Sequence, residues 1–295
     1  LIIDPGVEIL FMDEHHLFVH GVLQSNGTDS DSIYFSSGNA APQRGDWGGI
    51  KFMNPSQNQS QLLYTVVEYG GTSQPSGSWT TEANIHFHSS SFGDVTIANS
   101  SIRESNNHGI LAYHSSGNYS IYNSSITNNY RGVHQYYDEG TMTINGNYFD
   151  RNLDRNISLF VSRADTIYIE DNTFEDGDGY WHIYAEDTVL PDIEIKSNIF
   201  NGHGLYINNS GGMGEPISIQ NNILLLGSGI TMANVYNINV MNNQFNQPQG
   251  RAIYLWNAVN INIIKNLIHD GSSSIEKIRV GDASETNIIS NTIVN

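Results

Sequence analysis

Six ionisable side chains recur at nearly even spacing through the middle of the chain: His108, Arg131, Asp154 with Arg155, Asp178 and His203. Each type has a use in cleaving or gripping a polar polymer. A carboxyl can give or take a proton, an imidazole can relay one, and a guanidinium can neutralise a negative substrate. Two carboxylates roughly 5 to 10 Å apart are the arrangement that retaining and inverting glycosidases use. In such a pair the second charge penalises the first, so one group keeps its proton and can act as an acid. For these six to meet, the chain must return to the same place about every two dozen residues.

A repeated frame supplies that return. The segments "MTINGNYF" (142–149), "IYIEDNTF" (167–174), "IEIKSNIF" (193–200), "ISIQNNIL" (217–224), "INVMNNQF" (238–245), "INIIKNLI" (261–268) and "TNIISNTI" (286–293) share it. "VTIANSSI" (95–102) and "YSIYNSSI" (119–126) carry Ser in the Asn place. The framed residues are Ser100, Ser124, Asn147, Asn172, Asn198, Asn222, Asn243, Asn266 and Asn291. A fixed period in the twenties implies a solenoid whose repeats bury their apolar faces against one another. No segment sustains a 3.6-residue apolar period, so short strands and turns remain. The reading is all-β: a parallel β-helix with rungs of about 24 residues. Equivalent Asn amides then stack roughly 4.8 Å apart, near enough for each to donate to one neighbour and accept from the other as an Asn ladder.

Composition narrows the function. The 295 residues carry 12 basic and 30 acidic side chains, a net charge of −18, which argues against nucleic acid and anionic membrane surfaces. There is no Cys, so neither disulfides nor thiolate metal sites are available. No apolar run reaches the length of a membrane span, and no membrane insertion is expected. The repeat implies one elongated domain over 1–295. The opening "LIIDPGVEIL" and the mid-rung ending "NTIVN" suggest a piece of a longer protein. Residues 72–83, holding "TSQPSGSWTTEA" with Trp79, do not fit the rung and are expected to protrude as a loop.

After each Asn turn a second strand follows. Period-two alternation puts Ile110/Ala112, Val133/Gln135, Ile157/Leu159, Trp181/Ile183, Leu205/Ile207, Ile230/Met232 and Ile253/Leu255 inside. The opposite face then carries Tyr113, His134, Tyr136, Phe160, His182, Tyr184, Tyr206, Tyr254 and Trp256. A sheet face this aromatic calls for a cover. Sugar rings are one, packing their axial hydrogens on aromatic faces while Tyr and His tips meet the hydroxyls; cross-strand stacking of the rings themselves is another. Five arginines, at 103, 131, 151, 155 and 163, make this part of an acidic chain locally basic, suited to a carboxylate or sulfate. Asp150 and Glu175 follow the ladder Asn by three residues on adjacent rungs, with Asp176 beside them. Stacked carboxylates repel unless bridged, which suits Ca2+, or paired with the nearby Arg151 and Arg155.

The ladder, the rung length and the opening "PGVEILF", "LFVHGVLQSNGT", "IYFSS" and "GDWGGIKF" resemble right-handed parallel β-helix proteins of the pectate-lyase-like superfamily, with repeats of the carbohydrate-binding and sugar-hydrolysis type. The resemblance spans essentially the whole chain. It implies a polysaccharide or glycan partner, an extracellular or cell-surface location, and either a hydrolase or lyase or a non-catalytic stalk or recognition module of a larger adhesin. "NLD" (152–154), "DGD" (176–178) and "GHG" (202–204) are similar to fragments of the polygalacturonase pattern. Carried over by residue, they imply catalytic roles for Asp154, Asp178 and His203. The match is partial, since Asp176 and Asp178 are not adjacent and no Arg-Ile-Lys follows. For an eliminating enzyme, Arg131, Arg155 and His203 would carry the chemistry.

Overall fold

The computed structural model describes residues 1–53, 59–72, 82–90, 93–175, 179, 181–188, 192–211, 216–227, 229–269 and 276–294. Trp79, Asp176 and Asp178 lie outside them, as does most of the expected 72–83 loop; its flanking residues Thr72 and Ala83 are buried. All described regular structure is strand, paired in parallel from rung to rung. No described helix is long and apolar enough to cross a membrane.

One rung illustrates the rest. Tyr119–Tyr122 runs into a turn, Ser125–Thr127 follows, and Arg131–Tyr136 forms the strand of the broad face. Each pairs with its equivalent in the next rung: Tyr119 with Met142, Ser125 with Tyr148, and Arg131 with Arg155. The first turn bends through one left-handed residue, Asn123, Gly146, Asp171, Ser197, Asn221 and Asn242 in successive rungs. Asn, Asp and Gly tolerate that conformation best, which is why the frame is rich in them.

The framed residue comes next and points inward. Asn147 Nδ2 donates to Asn172 Oδ1 at 3.1 Å, Asn172 to Asn198 at 3.0 Å and Asn198 to Asn222 at 3.0 Å, and the column continues through Asn243 and Asn266 to Asn291. Each oxygen also accepts the backbone N–H of the preceding rung's Asn. The turn thus buries its polar groups with partners, at the place where a bend would otherwise orphan them. Two residues on, Phe149, Phe174, Phe200 and Phe245 are fully buried; Phe174 and Phe200 stack at 4.8 Å with planes 1° apart. This column, with the inward Ile, Leu and Val of the three strands, is the core.

Candidate functional site

The broad-face strands align as follows. Arg131, Arg155 and Trp181 share one row; His134, Ser158, Tyr184 and Tyr206 share a second; Tyr113, Tyr136, Phe160, Glu186 and Asn208 share a third. The rung at 181–186 departs from the alternation expected of it. Ile183 and Ala185 are the inward pair, opposite Ile157 and Leu159, and the register shifts between Trp181 and Ile183. Two corrections follow. Trp181 is not a core residue, and His182 is not on the face.

His182 is 1% exposed and lies among the core phenylalanines, its ring 5.7 Å from Phe174 and 6.1 Å from Phe200. Its Nδ1 meets Asn156 Nδ2 at 2.7 Å and its Nε2 meets the Asn201 carbonyl at 2.8 Å. Asn152 in turn donates to Asn156 Oδ1 at 2.7 Å. The carbonyl can only accept and Asn156 Nδ2 can only donate, so the imidazole is neutral with its proton on Nε2. Burial pulls its pKa down to about 4.

The register places eight residues around a cleft of about 220 Å3: Arg131, His134, Tyr136, Arg155, Ser158, Phe160, Tyr184 and Glu186. Six are among the candidate residues singled out from the sequence. Ser158 shares the outward row of His134, as alternation places it, and Glu186 reaches the site only because of the shifted rung. The wall is a ring stack: Tyr113, Tyr136 and Phe160 lie 5.4 and 5.5 Å apart with planes within 8°. The face is less open to water than alternation suggested, because rings one strand spacing apart cover one another. Tyr136 and His134 are buried.

Charge is arranged across the cleft. Arg131 Nε donates to Asp154 Oδ2 at 2.5 Å, and Arg155 Nε lies 3.7 Å from Asp154 Oδ1. Asp154 therefore has a guanidinium at each oxygen. The Arg155 guanidinium carbon lies 3.6 Å from the centre of the Tyr184 ring. Burial lowers the Arg155 pKa against the opposing pull of Asp154. Tyr184 donates its hydroxyl to Glu186 at 2.5 Å; burial first, and then that bond, raise the phenol. Glu186 also accepts from Asn208 at 3.2 Å. His134 is held well below the usual imidazole range, chiefly by burial and then by the positive groups of His108, Arg131 and Arg155, against a hydrogen bond with the Ser158 backbone.

The remaining sequence-selected residues lie elsewhere. His203 and Tyr254 line a second cleft with Trp181. Tyr206 bridges the two, its ring 5.1 Å from Tyr184 and 5.4 Å from Trp181. Trp256, 44% exposed, stands further along the third row. Asp150 is paired with Arg151 at 2.7 Å, and Glu175 accepts from Asn201 at 2.7 Å. Among the described residues no group of three potential metal ligands converges.

Residues 83–225 match the family model described as right handed beta helix region. No curated protein matches the chain. Among solved structures it is similar to the A-module of the mannuronan C-5 epimerase AlgE4 of Azotobacter vinelandii: TM-score 0.50 and 13% identity, over 96% of this chain and 87% of that one. The family 28 exopolygalacturonase of Yersinia enterocolitica matches with TM-score 0.53 and 12% identity, over 98% and 72%. The surface protein and adhesin PfbA of Streptococcus pneumoniae matches with TM-score 0.51 and 11% identity, over 98% and 91%. At these identities the likeness carries the fold alone, a right-handed parallel β-helix.

Proposed function

We propose that this chain, a right-handed parallel β-helix of pectate-lyase-like architecture, is an extracellular or cell-surface protein that recognises an acidic polysaccharide in the cleft of Arg131, Arg155, Phe160, Tyr184 and Glu186. One observation carries the reading. Two guanidiniums, one laid on an aromatic ring, meet in a partly apolar cleft of a protein whose net charge is −18. Guanidinium is weakly hydrated and matches the geometry of carboxylate or sulfate, while ring edges and faces suit a pyranose. Glu186 and the Tyr184 hydroxyl supply polar atoms for sugar hydroxyls. Support comes also from fold relatives that are a mannuronan C-5 epimerase and an exopolygalacturonase. The relative that is an adhesin fits recognition without turnover, as do the two guanidiniums on Asp154, which occupy the oxygens a general acid would use.

The test is a panel of neutral, uronic and sulfated polysaccharides, scored for binding and for new chain ends, with calcium and with chelator. Acidic chains should bind and neutral ones should not, and Arg155→Gln should remove the binding without lowering the melting temperature. Equal binding of neutral chains, or an unaffected Arg155→Gln variant, refutes the reading. Unsaturated ends would assign elimination through Arg131 and Arg155. Saturated reducing ends abolished by Asp178→Asn would assign hydrolysis by Asp154 and Asp178.

A further inference from the structure

Beyond Tyr206 along the same face lies a second cleft of about 370 Å3, lined by Trp181, His203, Thr231, Arg251, Tyr254 and four glycines, at 202, 204, 227 and 229. The fold requires these glycines. Gly202 and Gly227 have φ of +91° and +99°, in the region side chains disfavour. A Cβ on Gly204 would sit 1.9 Å from the Gly229 carbonyl oxygen, and one on Gly229 would sit 2.4 Å from the Arg251 oxygen. The outcome is a stretch of bare backbone between two aromatic residues.

Into this hollow comes a cation that makes no ion pair among the described residues. Arg251 Nε is buried and has no hydrogen-bond partner, and the side chain makes no ion pair among the described residues. Its guanidinium carbon is 5.0 Å from the centre of the Tyr254 ring, with Arg279 at 6.0 Å from the same ring. A guanidinium that no carboxylate neutralises, at the lining of a cleft, is a ready partner for an incoming carboxylate or sulfate. Arg131 is hydrogen-bonded to Asp154 at 2.5 Å and Arg155 lies 3.7 Å from the same carboxylate, whereas Arg251 pairs with no acid among the described residues.

We infer that this cleft is a second anion subsite, in which the Arg251 guanidinium takes a carboxylate or sulfate of the glycan whose other acidic group is held at Arg155. The inference rests on the glycan reading of the first cleft. Register sets the separation: Arg155, Trp181 and Gly204 occupy successive rungs, and Leu205, Ile230 and Ile253 continue the stack, so Arg251 lies four rungs beyond Arg155. At ordinary strand spacing that is roughly 19 Å along the axis, with Tyr184, Tyr206 and Trp181 between. The ligand is therefore an acidic oligosaccharide that runs along the solenoid and is recognised at both ends of that span.

Calorimetry with short and long oligouronides, and with sulfated oligosaccharides in parallel, tests this on the whole chain. Arg251→Gln should weaken long acidic oligosaccharides about ten- to a hundredfold, the range expected for losing a charged hydrogen bond, and leave short ones unchanged. Arg251→Lys, which keeps the charge but not the fork, should fall between. Arg155→Gln should weaken both lengths. Loss with uronides identifies a carboxylate and loss with sulfated chains a sulfate; either supports the subsite. If Arg251→Gln binds long chains as the parent does, or loses short and long ones equally, the subsite is refuted while the first cleft stands. If the parent binds no acidic chain, the glycan reading itself falls, and the subsite with it.

Discussion

The neutrality of His182 makes the stability of the stack acid-sensitive in a way that one substitution can isolate. The imidazole is 1% exposed, accepts from Asn156 and donates to the Asn201 carbonyl. A second proton would set an N–H against the Asn156 amide and bury a charge beside Phe174 and Phe200. In the unfolded chain the group titrates near 6.5, and in the fold near 4. The folded value is depressed, so between those values the unfolded chain binds the proton and the native one does not. Stability is complete above about pH 6.5, falls as pH drops, and levels off below about pH 4. At about 1.4 kcal/mol per pH unit, the window is worth about 3 kcal/mol. His182→Gln keeps an acceptor for Asn156 and a donor for Asn201 but cannot titrate. Urea unfolding of parent and variant across pH 4 to 7.5 gives the difference directly, and the other buried histidines, His86, His108 and His134, cancel in it. The parent should lose about 3 kcal/mol more than the variant on acidification. Parallel curves, or an NMR titration of His182 at or above pH 6.5, would refute the reasoning.

Asp138 has the opposite sign. It is buried with Ser115 and Gln135, and burial raises its pKa from 3.8 to about 8, so the native carboxyl keeps a proton that the unfolded chain has released. Its contribution should lower stability steadily as pH rises from about 4 to 8, and Asp138→Asn should flatten that slope in the same unfolding series; an unchanged slope would show the carboxyl already ionised in the fold. In the Asn column, Asn198→Leu removes the acceptor of the Asn172 backbone N–H and side-chain amide and the donor to the Ile169 carbonyl, while Asn222 Oδ1 keeps only the residue-198 backbone N–H. A loss of about 3 to 5 kcal/mol is expected, and an unaltered melting temperature would mean the column adds nothing.

What the sequence determined by itself was everything set within one rung. The left-handed turn, the framed Asn and the Phe or Ile two places later are local choices, and their regular return is enough to require stacked coils. Inward pairs such as Ile157/Leu159 and Leu205/Ile207 followed from alternation for the same reason. Across the corner into the broad face, the chain length varies. From the core aromatic to the first inward residue it is eight residues from Phe149 to Ile157, nine from Phe174 to Ile183 and five from Phe200 to Leu205. Alternation within "YWHIYAED" permits two registers, and only stacking on the rungs either side selects Ile183 and Ala185 as the inward pair. That choice, with the irregularity after Trp181, turned His182 into the core and carried Glu186 to the cleft. The small inward Ala185, matching Ala112 in an earlier rung, was the available signal. Arg251 was invisible for a related reason. What distinguishes it from other arginines is the buried Nε without a partner and the glycine-floored hollow around it, and both arise between rungs that are distant in sequence.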